Sequence, residues 1–130
     1  MAEEKNEQYK VLMDDDPYLE EYPGYIKFEI EDHIAIITFN KPSEVGLNTL
    51  SYDVFMSLNQ IFDKMDMDDD IWGVILTGEG RCFVAGADLS DKRMQSANFS
   101  GPNTLQKVRK HIVHDCMKRV LNFERPVLAA

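Results

Sequence analysis

The sequence has little cysteine, a minority of basic residues and no long hydrophobic run. Its 130 residues include 2 cysteines, Cys82 and Cys116, at a separation that matches no metal-ligand spacing. We therefore expect two reduced thiols and no metal site. The 14 Lys and Arg residues are outnumbered by 23 Asp and Glu residues, which gives a formal net charge of −9. Because an acidic protein repels polyanions, this balance argues against nucleic-acid binding and requires a local basic patch for any anionic ligand.

The sequence also lacks the signals that direct a chain into or across a membrane. Its longest apolar stretch, around residues 34–39, has the length of a strand and not of a membrane span. The first residues, MAEEKNE, contain neither the basic region nor the apolar region of a secretory signal. We therefore expect a cytoplasmic protein without a membrane partner.

Two segments differ in their hydrophobic patterning. Residues 1–22 are acidic and show no periodicity, which predicts an N-terminal arm that docks loosely. Residues 23–130 alternate between strand and helix patterns, and they are numerous enough for one domain with a hydrophobic core.

The periodicity of this second segment predicts an α/β layer fold with crossover connections. Residues 25–30 and 34–39 alternate as two strands with a tight turn between them, and residues 71–76 form another buried strand. Ser51 can cap a helix, and residues from Thr104 onward can form a second one that ends before Pro126. The apolar face of the first helix comprises Val54, Leu58, Ile61, Phe62 and Met65. The apolar face of the second comprises Leu105, Val108, Ile112, Cys116, Met117 and Val120, and a buried strand follows at residues 127–130.

The most informative segment is residues 71–89, IWGVILTGEGRCFVAGADL. A predicted strand leads through a polar turn into Ala85-Gly86-Ala87-Asp88, residues that we call the elbow. Side chains this small let a ligand lie against the backbone. A free amide in such a place can donate a hydrogen bond to an oxyanion that develops in a transition state.

Together with Asn48-Thr49-Leu50 upstream and PVLAA at residues 126–130, this segment resembles the crotonase (enoyl-CoA hydratase/isomerase) superfamily. The resemblance covers roughly residues 25–130 and the N-terminal half of the family pattern only. It implies an α/β crotonase/ClpP-like spiral of ββα units, incomplete in this chain. It further implies an enzyme that acts on an acyl-CoA thioester and stabilises an enolate-like intermediate in an oxyanion hole. Coenzyme A is then part of the substrate, and no separate cofactor is needed.

The resemblance also assigns roles to individual residues. The backbone amide of Ala87 would be one oxyanion donor, and Arg81 would lie near the phosphates of coenzyme A. The family usually has a basic residue just before its Asn-x-Leu motif, where this chain has Val45-Gly46-Leu47, so phosphate binding should depend strongly on Arg81. The remaining residues that we expect beside coenzyme A or the acyl group are Gly46, Leu47, Ala85, Gly86, Asp88, Leu89 and Met94.

Other family features lie beyond Ala130 in the family pattern. They are the second oxyanion amide and the carboxylates that act as general acid and base, so we expect these 130 residues to be inactive alone. Hydration of a 2-enoyl thioester is the commonest family reaction, while isomerisation, hydrolysis and decarboxylation use the same oxyanion hole. The resemblance predicts a homotrimer or hexamer for a complete protein, or a second chain that supplies the C-terminal half.

Two other functions remain open on the sequence. The first is a catalytically silent acyl-CoA-binding or scaffold subunit. The second is an interaction module unrelated to coenzyme A, in which the acidic arm and the basic second helix would bind a partner.

Overall fold

A computed structural model describes residues 12–13, 19–42, 44, 47–94 and 109–130. Its elements are β1 (Leu12–Met13), β2 (Leu19–Tyr22), β3 (Ile26–Glu31), β4 (Ile34–Phe39), β5 (Thr49–Leu50), α1 (Tyr52–Asp66), β6 (Gly73–Gly78), β7 (Gly86–Ala87), a π-helical segment (Arg109–His114), α2 (Asp115–Leu121) and β8 (Val127–Ala129). Strands β1, β2, β3, β4, β6 and β8 form one six-stranded sheet in that order, and β5 pairs with β7 in a separate two-stranded sheet.

The β3–β4 hairpin begins the core of the large sheet. Its two-residue turn holds Asp32 and His33 at φ values of 48° and 67°. Such left-handed pairs match the twist of a hairpin, and aspartate tolerates them well. The tight turn predicted from the sequence is confirmed, and the alternating residues Phe28 and Ile37 are fully buried on one face.

Helix α1 connects β4 to β6, which lies parallel to β4. The Ser51 hydroxyl accepts a hydrogen bond from the Val54 amide (3.4 Å), so the predicted N-cap is confirmed. All five residues of the predicted apolar face are buried, and they form the core with side chains of the sheet. The helix therefore covers one face of the sheet and fixes where β5, just before its N-terminus, can lie.

Strand β2 lies within the stretch that the sequence suggested as a loose arm. Its residues pair antiparallel with β3, with Leu19 opposite Glu29 and Tyr22 opposite Ile26. The Tyr22 ring packs edge-on against Phe28, with centroids 6.4 Å apart. The acidic sequence Leu-Glu-Glu-Tyr gave no sign of this strand, because a strand that is only partly buried needs few apolar residues.

The C-terminal part differs from the sequence prediction in two respects. Cys116 is buried as predicted, and burial raises the pKa of its thiol to about 11. Met117 was predicted on the same apolar face but is 44% exposed, because it follows the buried Cys116 by one residue and so lies about 100° around α2 from it. Strand β8 forms as predicted, parallel to β6, but its predicted burial is wrong. As the outer strand of the sheet, it leaves Leu128 63% exposed.

The first part of the predicted second helix, residues 104–108, lies outside the described residues. No helix within the described ranges is long and apolar enough to cross a bilayer.

Candidate functional site

The elbow lies where β7 meets β5, in front of the N-terminus of α1. Gly86 has a φ of +117°, which is unfavourable for any residue with a Cβ atom. The Ala85 amide donates to the Asn48 carbonyl (3.3 Å) and the Asp88 amide donates to the Leu50 carbonyl (3.0 Å). The chain can therefore change direction at residue 86 and still run parallel to β5.

The direction of the Ala87 amide follows from this pairing. The Ala85 and Asp88 amides lie three residues apart and both donate to the β5 segment, so the alternation of a regular strand is broken at Gly86. After Gly86, consecutive amides again point to opposite edges, and the Asp88 amide points to β5. We infer that the Ala87 amide points to the other edge of β7. Ala87 is exposed, and within the described part of the chain β5 is the one strand that pairs with β7.

Asn48 joins the elbow to two other segments. Its buried side chain accepts a hydrogen bond from the Lys41 amide (2.8 Å) and donates to the carbonyls of Glu79 (3.2 Å) and Cys82 (2.6 Å). The left-handed backbone of Asn48, at a φ of 50°, is one that asparagine adopts more readily than most residues. An amide is required here because the side chain must both accept and donate.

A buried ion pair lies directly behind the elbow. The Lys41 ammonium donates to the Asp88 carboxylate (2.8 Å) and to the Thr49 hydroxyl (2.8 Å). The Lys41 and Asp88 side chains are 8% and 11% exposed, so both charges are largely withdrawn from water. The other Asp88 oxygen accepts from the amide and the hydroxyl of Ser90 (2.9 and 2.6 Å). Both carboxylate oxygens are thus occupied.

These contacts lower the pKa of Asp88 to about 2, mainly through the hydrogen bond from Lys41 and then through that from Ser90. Because the pKa lies below its ordinary value, the pair stabilises the fold at neutral pH and loses this contribution as the pH falls below about 4. Asp88 is therefore an ionised structural anchor at neutral pH and holds no proton for transfer.

The segment after the elbow is tied to α1. The Asp91 carboxylate accepts from the Tyr52 amide at the helix N-terminus (2.8 Å). Arg93 forms a two-pronged pair with Asp53 (3.0 and 3.1 Å) and also contacts Asp91. Helix α1 therefore positions both sides of the elbow, through β5 before it and through Asp91 after it.

A cleft of about 660 Å³ adjoins the elbow. It is lined by residues 40–42, by Leu47 and Asn48, and by the turn 79–82. Arg81 is exposed at this cleft and has no hydrogen bond or ion pair with any side chain that the structure describes. Glu79 of the same turn is paired with Lys27 (3.4 Å), so the cleft presents an unpaired cation beside a compensated carboxylate.

The structure brings most of the sequence-predicted site residues into one region. Leu47 and Arg81 line the cleft. Residues 85–88 form the elbow, and Leu89 follows it with 82% exposure. Met94 is partly buried and packs against the hydrophobic core. Gly46 lies outside the described residues.

Sequence reasoning missed Lys41 and the anchoring pair Asp91 and Arg93. The sequence offered one signal for Lys41, since it is the single basic residue between β4 and the Asn48 motif. Its burial could not be foreseen, because that depends on how β5 and β7 pair. Among the described residues, no three or more side chains of His, Cys, Asp or Glu come together as a metal site would require.

Known structures share this arrangement of elements. An enoyl-CoA hydratase/isomerase from Xanthobacter autotrophicus Py2 superimposes with a TM-score of 0.70 at 26% identity, over 82% of this chain and 38% of that one. The fold is accordingly a mixed α/β fold of the crotonase type, of which this chain contains a part.

The sequence comparisons define the family. The family model described as enoyl-CoA hydratase/isomerase matches residues 29–130. The chain is 32% identical to a short-chain-enoyl-CoA hydratase of Clostridium acetobutylicum over 78% of its own length. It is 31% identical to a 4-chlorobenzoyl coenzyme A dehalogenase of an Arthrobacter species over 82% of its length. The chain belongs to the enoyl-CoA hydratase/isomerase family, as the resemblance of its elbow predicted.

The match is confined to one part of these relatives. The chain spans 36% of the Clostridium hydratase and 37% of the Arthrobacter dehalogenase. Family membership is therefore established for this segment, and it does not assign the activity of a whole relative to the segment.

Proposed function

We propose that this chain binds an acyl-CoA thioester and supplies one donor of an oxyanion hole, the backbone amide of Ala87. The proposal is carried by one observation: the exposed residue Ala87 lies at a glycine elbow that is bonded to Lys41 and Asn48, which line a cleft where Arg81 has no partner among the described side chains. The amide suits the thioester carbonyl, and the guanidinium suits a phosphate of coenzyme A.

The names of the relatives favour the same substrate class. A hydratase acts on an enoyl-CoA, and a dehalogenase acts on a chlorobenzoyl coenzyme A. The two reactions differ, whereas both substrates are coenzyme A thioesters. We propose that the feature shared with this chain is stabilisation of an enolate-like oxyanion, and that hydration of a 2-enoyl thioester or shift of its double bond is the reaction. One such donor contributes about 3–4 kcal/mol to lowering the barrier.

The two carboxylates that adjoin the elbow are unsuited to proton transfer, since Asp88 is held by Lys41 and Ser90, and Asp91 by Tyr52 and Arg93. Glu79 is 55% exposed and lies in the turn 79–82 and not at the elbow. We therefore propose that the general acid, the general base and the second oxyanion donor come from residues outside this segment. A trimer, a hexamer or a second chain remains a prediction, as do the cytoplasmic location and the absence of a separate cofactor.

The 130-residue chain is expected to bind crotonyl-CoA without consuming it, because under this proposal it supplies one oxyanion donor but neither the general acid nor the general base. Calorimetry measures the binding, and the absorbance of the conjugated thioester measures turnover. Loss of that absorbance would show an acid and base within the chain. Absence of binding would favour an interaction module unrelated to coenzyme A. Equal binding of crotonyl-CoA and of a thioether without the carbonyl would favour a silent binding subunit.

Arg81→Ala is expected to weaken binding of crotonyl-CoA by about 1–3 kcal/mol, since a charge-assisted hydrogen bond to phosphate is lost. Binding of crotonyl-pantetheine, which lacks the nucleotide, should change little. Added salt should narrow the difference between the two proteins. Arg119→Ala is the matched control, because it removes the same charge from α2, far along the chain from the cleft.

Equal losses of binding free energy for crotonyl-CoA and crotonyl-pantetheine would mean that Arg81 contacts the acyl end of the ligand or stabilises the fold itself. No loss for either ligand would make it a solvated turn residue.

A further inference from the structure

The Lys41–Asp88 pair is unusual among the ion pairs that the structure describes. Every other described pair has at least one partner whose side chain is more than a third exposed, as in Lys27–Glu79 and Arg93–Asp53. Lys41 and Asp88 are 8% and 11% exposed. Two charges removed from water seldom increase stability beyond what apolar residues would provide, so such a pair is often kept for the specific geometry that it imposes.

The ammonium of Lys41 lies where it can control that geometry. It bonds Thr49, which is opposite Gly86 in the β5–β7 register, and it bonds Asp88, the residue directly after Ala87. The Lys41 amide also bonds the Asn48 side chain, at the wall of the cleft. One residue therefore links the cleft, β5 and the far side of the elbow.

The backbone alone is a weak anchor for the elbow. β7 has two residues, and the bonds that flank it measure 3.3 and 3.0 Å. Gly86 has an unusual φ, and no atom lies within 4 Å of the position that a Cβ would occupy. A glycine with open space around it can rotate its two peptide groups easily. A contact on the Asp88 side is needed to hold the peptide between Gly86 and Ala87 in one orientation.

We propose that Lys41 is a positioning residue: its ammonium, bonded to Thr49 and Asp88, fixes the direction of the Ala87 amide toward the thioester carbonyl. This inference rests on the proposed oxyanion role of Ala87. The ammonium also neutralises the Asp88 carboxylate, which would otherwise oppose negative charge on the neighbouring oxygen, and Asp91 is likewise neutralised by Arg93. Lys41 acts through Asp88 and does not contact the substrate carbonyl itself.

The test uses the full 130-residue chain with 4-dimethylaminocinnamoyl-CoA as the probe. Hydrogen bonds to the carbonyl of this conjugated thioester shift its absorbance to longer wavelength, so the shift reports the orientation of the donor and not merely binding. The main variant is Lys41→Met/Asp88→Asn, which removes both charges and leaves none unpaired. Thr49→Val is a milder variant that removes one of the two bonds to the ammonium. Lys64→Met is the control, because Lys64 pairs with Glu20 on the sheet surface.

The double variant is expected to bind the probe with nearly unchanged affinity and to lose most of the absorbance shift. Thr49→Val should lose part of it, Lys41→Arg should retain most of it, and Lys64→Met should retain all of it. A purely structural role would lower stability while leaving the shift of the bound probe intact. Thermal unfolding shows which variants fold. If the double variant does not fold, the absorbance shift of Thr49→Val decides the test instead.

The possible failures can be told apart. If the wild-type chain binds the probe without an absorbance shift, the oxyanion role of Ala87 is wrong. If the wild-type chain shows the shift and the deciding variant keeps it in full, the positioning role of Lys41 is overturned while the proposed function stands.

Discussion

Lys41→Met is expected to lower the free energy of unfolding by about 3–5 kcal/mol at neutral pH, the cost of leaving a buried charge without its partner. Methionine keeps the length of the side chain but removes the ammonium from Asp88 and Thr49. Ser90 still donates to one oxygen of Asp88, so the other oxygen carries the penalty. Urea unfolding followed by circular dichroism gives the difference directly.

Lys41→Met/Asp88→Asn should recover most of this loss, because no charge is then unpaired. Lys64→Met, at the exposed pair with Glu20, should cost no more than about 1 kcal/mol. A cost of that size for Lys41→Met would mean that solvent screens the Lys41–Asp88 pair as well.

The pH dependence provides a second check. In the wild-type chain the pKa of Asp88 is about 2, below its ordinary value, so stability is present above about pH 4 and is lost as the pH falls toward 2. Without Lys41, the pKa of Asp88 rises toward its ordinary value, because the largest cause of its lowering is gone while the hydrogen bonds from Ser90 remain, so the variant loses less stability as the pH falls. The difference between the two proteins should narrow on acidification, and a constant difference would contradict the assignment.

Gly78→Ala is expected to destabilise the chain by about 3 kcal/mol, near the upper range for overpacking. A Cβ at Gly78 would lie 2.6 Å from the Phe83 carbonyl oxygen and 2.7 Å from that of Cys82. Both obstacles are backbone atoms, so the segment that crosses the end of β6 would have to move. That movement would also stretch the bond from Asn48 to the Cys82 carbonyl (2.6 Å) and disturb the cleft.

Gly80→Ala is the matched control in the same turn. Gly80 has a φ of +83° but no atom within 4 Å of its Cβ position. Its substitution should cost only the backbone strain, about 1–2 kcal/mol. If both variants lose the same free energy of unfolding, the backbone of residues 82–83 moves away from residue 78 at little cost.

Much of the fold could be predicted because local patterns carry it. Ser51 as a cap, the apolar face that starts at Val54, and the turn at Asp32 and His33 each follow from neighbouring residues, and each is confirmed. Strand β2 was not predicted, because its stability comes from pairing with β3 and its sequence is acidic. Met117 was placed on the buried face although it is exposed, because hydrophobic spacing alone does not show where the buried face of a helix ends.

The site was predictable to a different extent. The small residues of the elbow and Arg81 could be named from the sequence, since their spacing carries the family resemblance. Lys41, Asp91 and Arg93 were not named, because the partner of each lies 39 or more residues away in the chain. Lys41 and Asp88 are 47 residues apart, Arg93 and Asp53 are 40 apart, and Asp91 and Tyr52 are 39 apart. Charged side chains usually lie on the surface, and no local pattern identifies the few that are buried with a partner.

The central claim is that the Ala87 amide donates to a thioester carbonyl, and amide NMR tests it most directly. The chain is labelled with ¹⁵N-alanine and titrated with crotonyl-CoA, and separately with the butyl-CoA thioether, which keeps coenzyme A but lacks the carbonyl. We predict that the Ala87 amide proton moves downfield and exchanges more slowly with crotonyl-CoA alone. The Ala85 amide, already bonded to Asn48, should respond alike to both ligands. An Ala87 resonance that is unmoved by bound crotonyl-CoA, or that moves equally with the thioether, would contradict the claim.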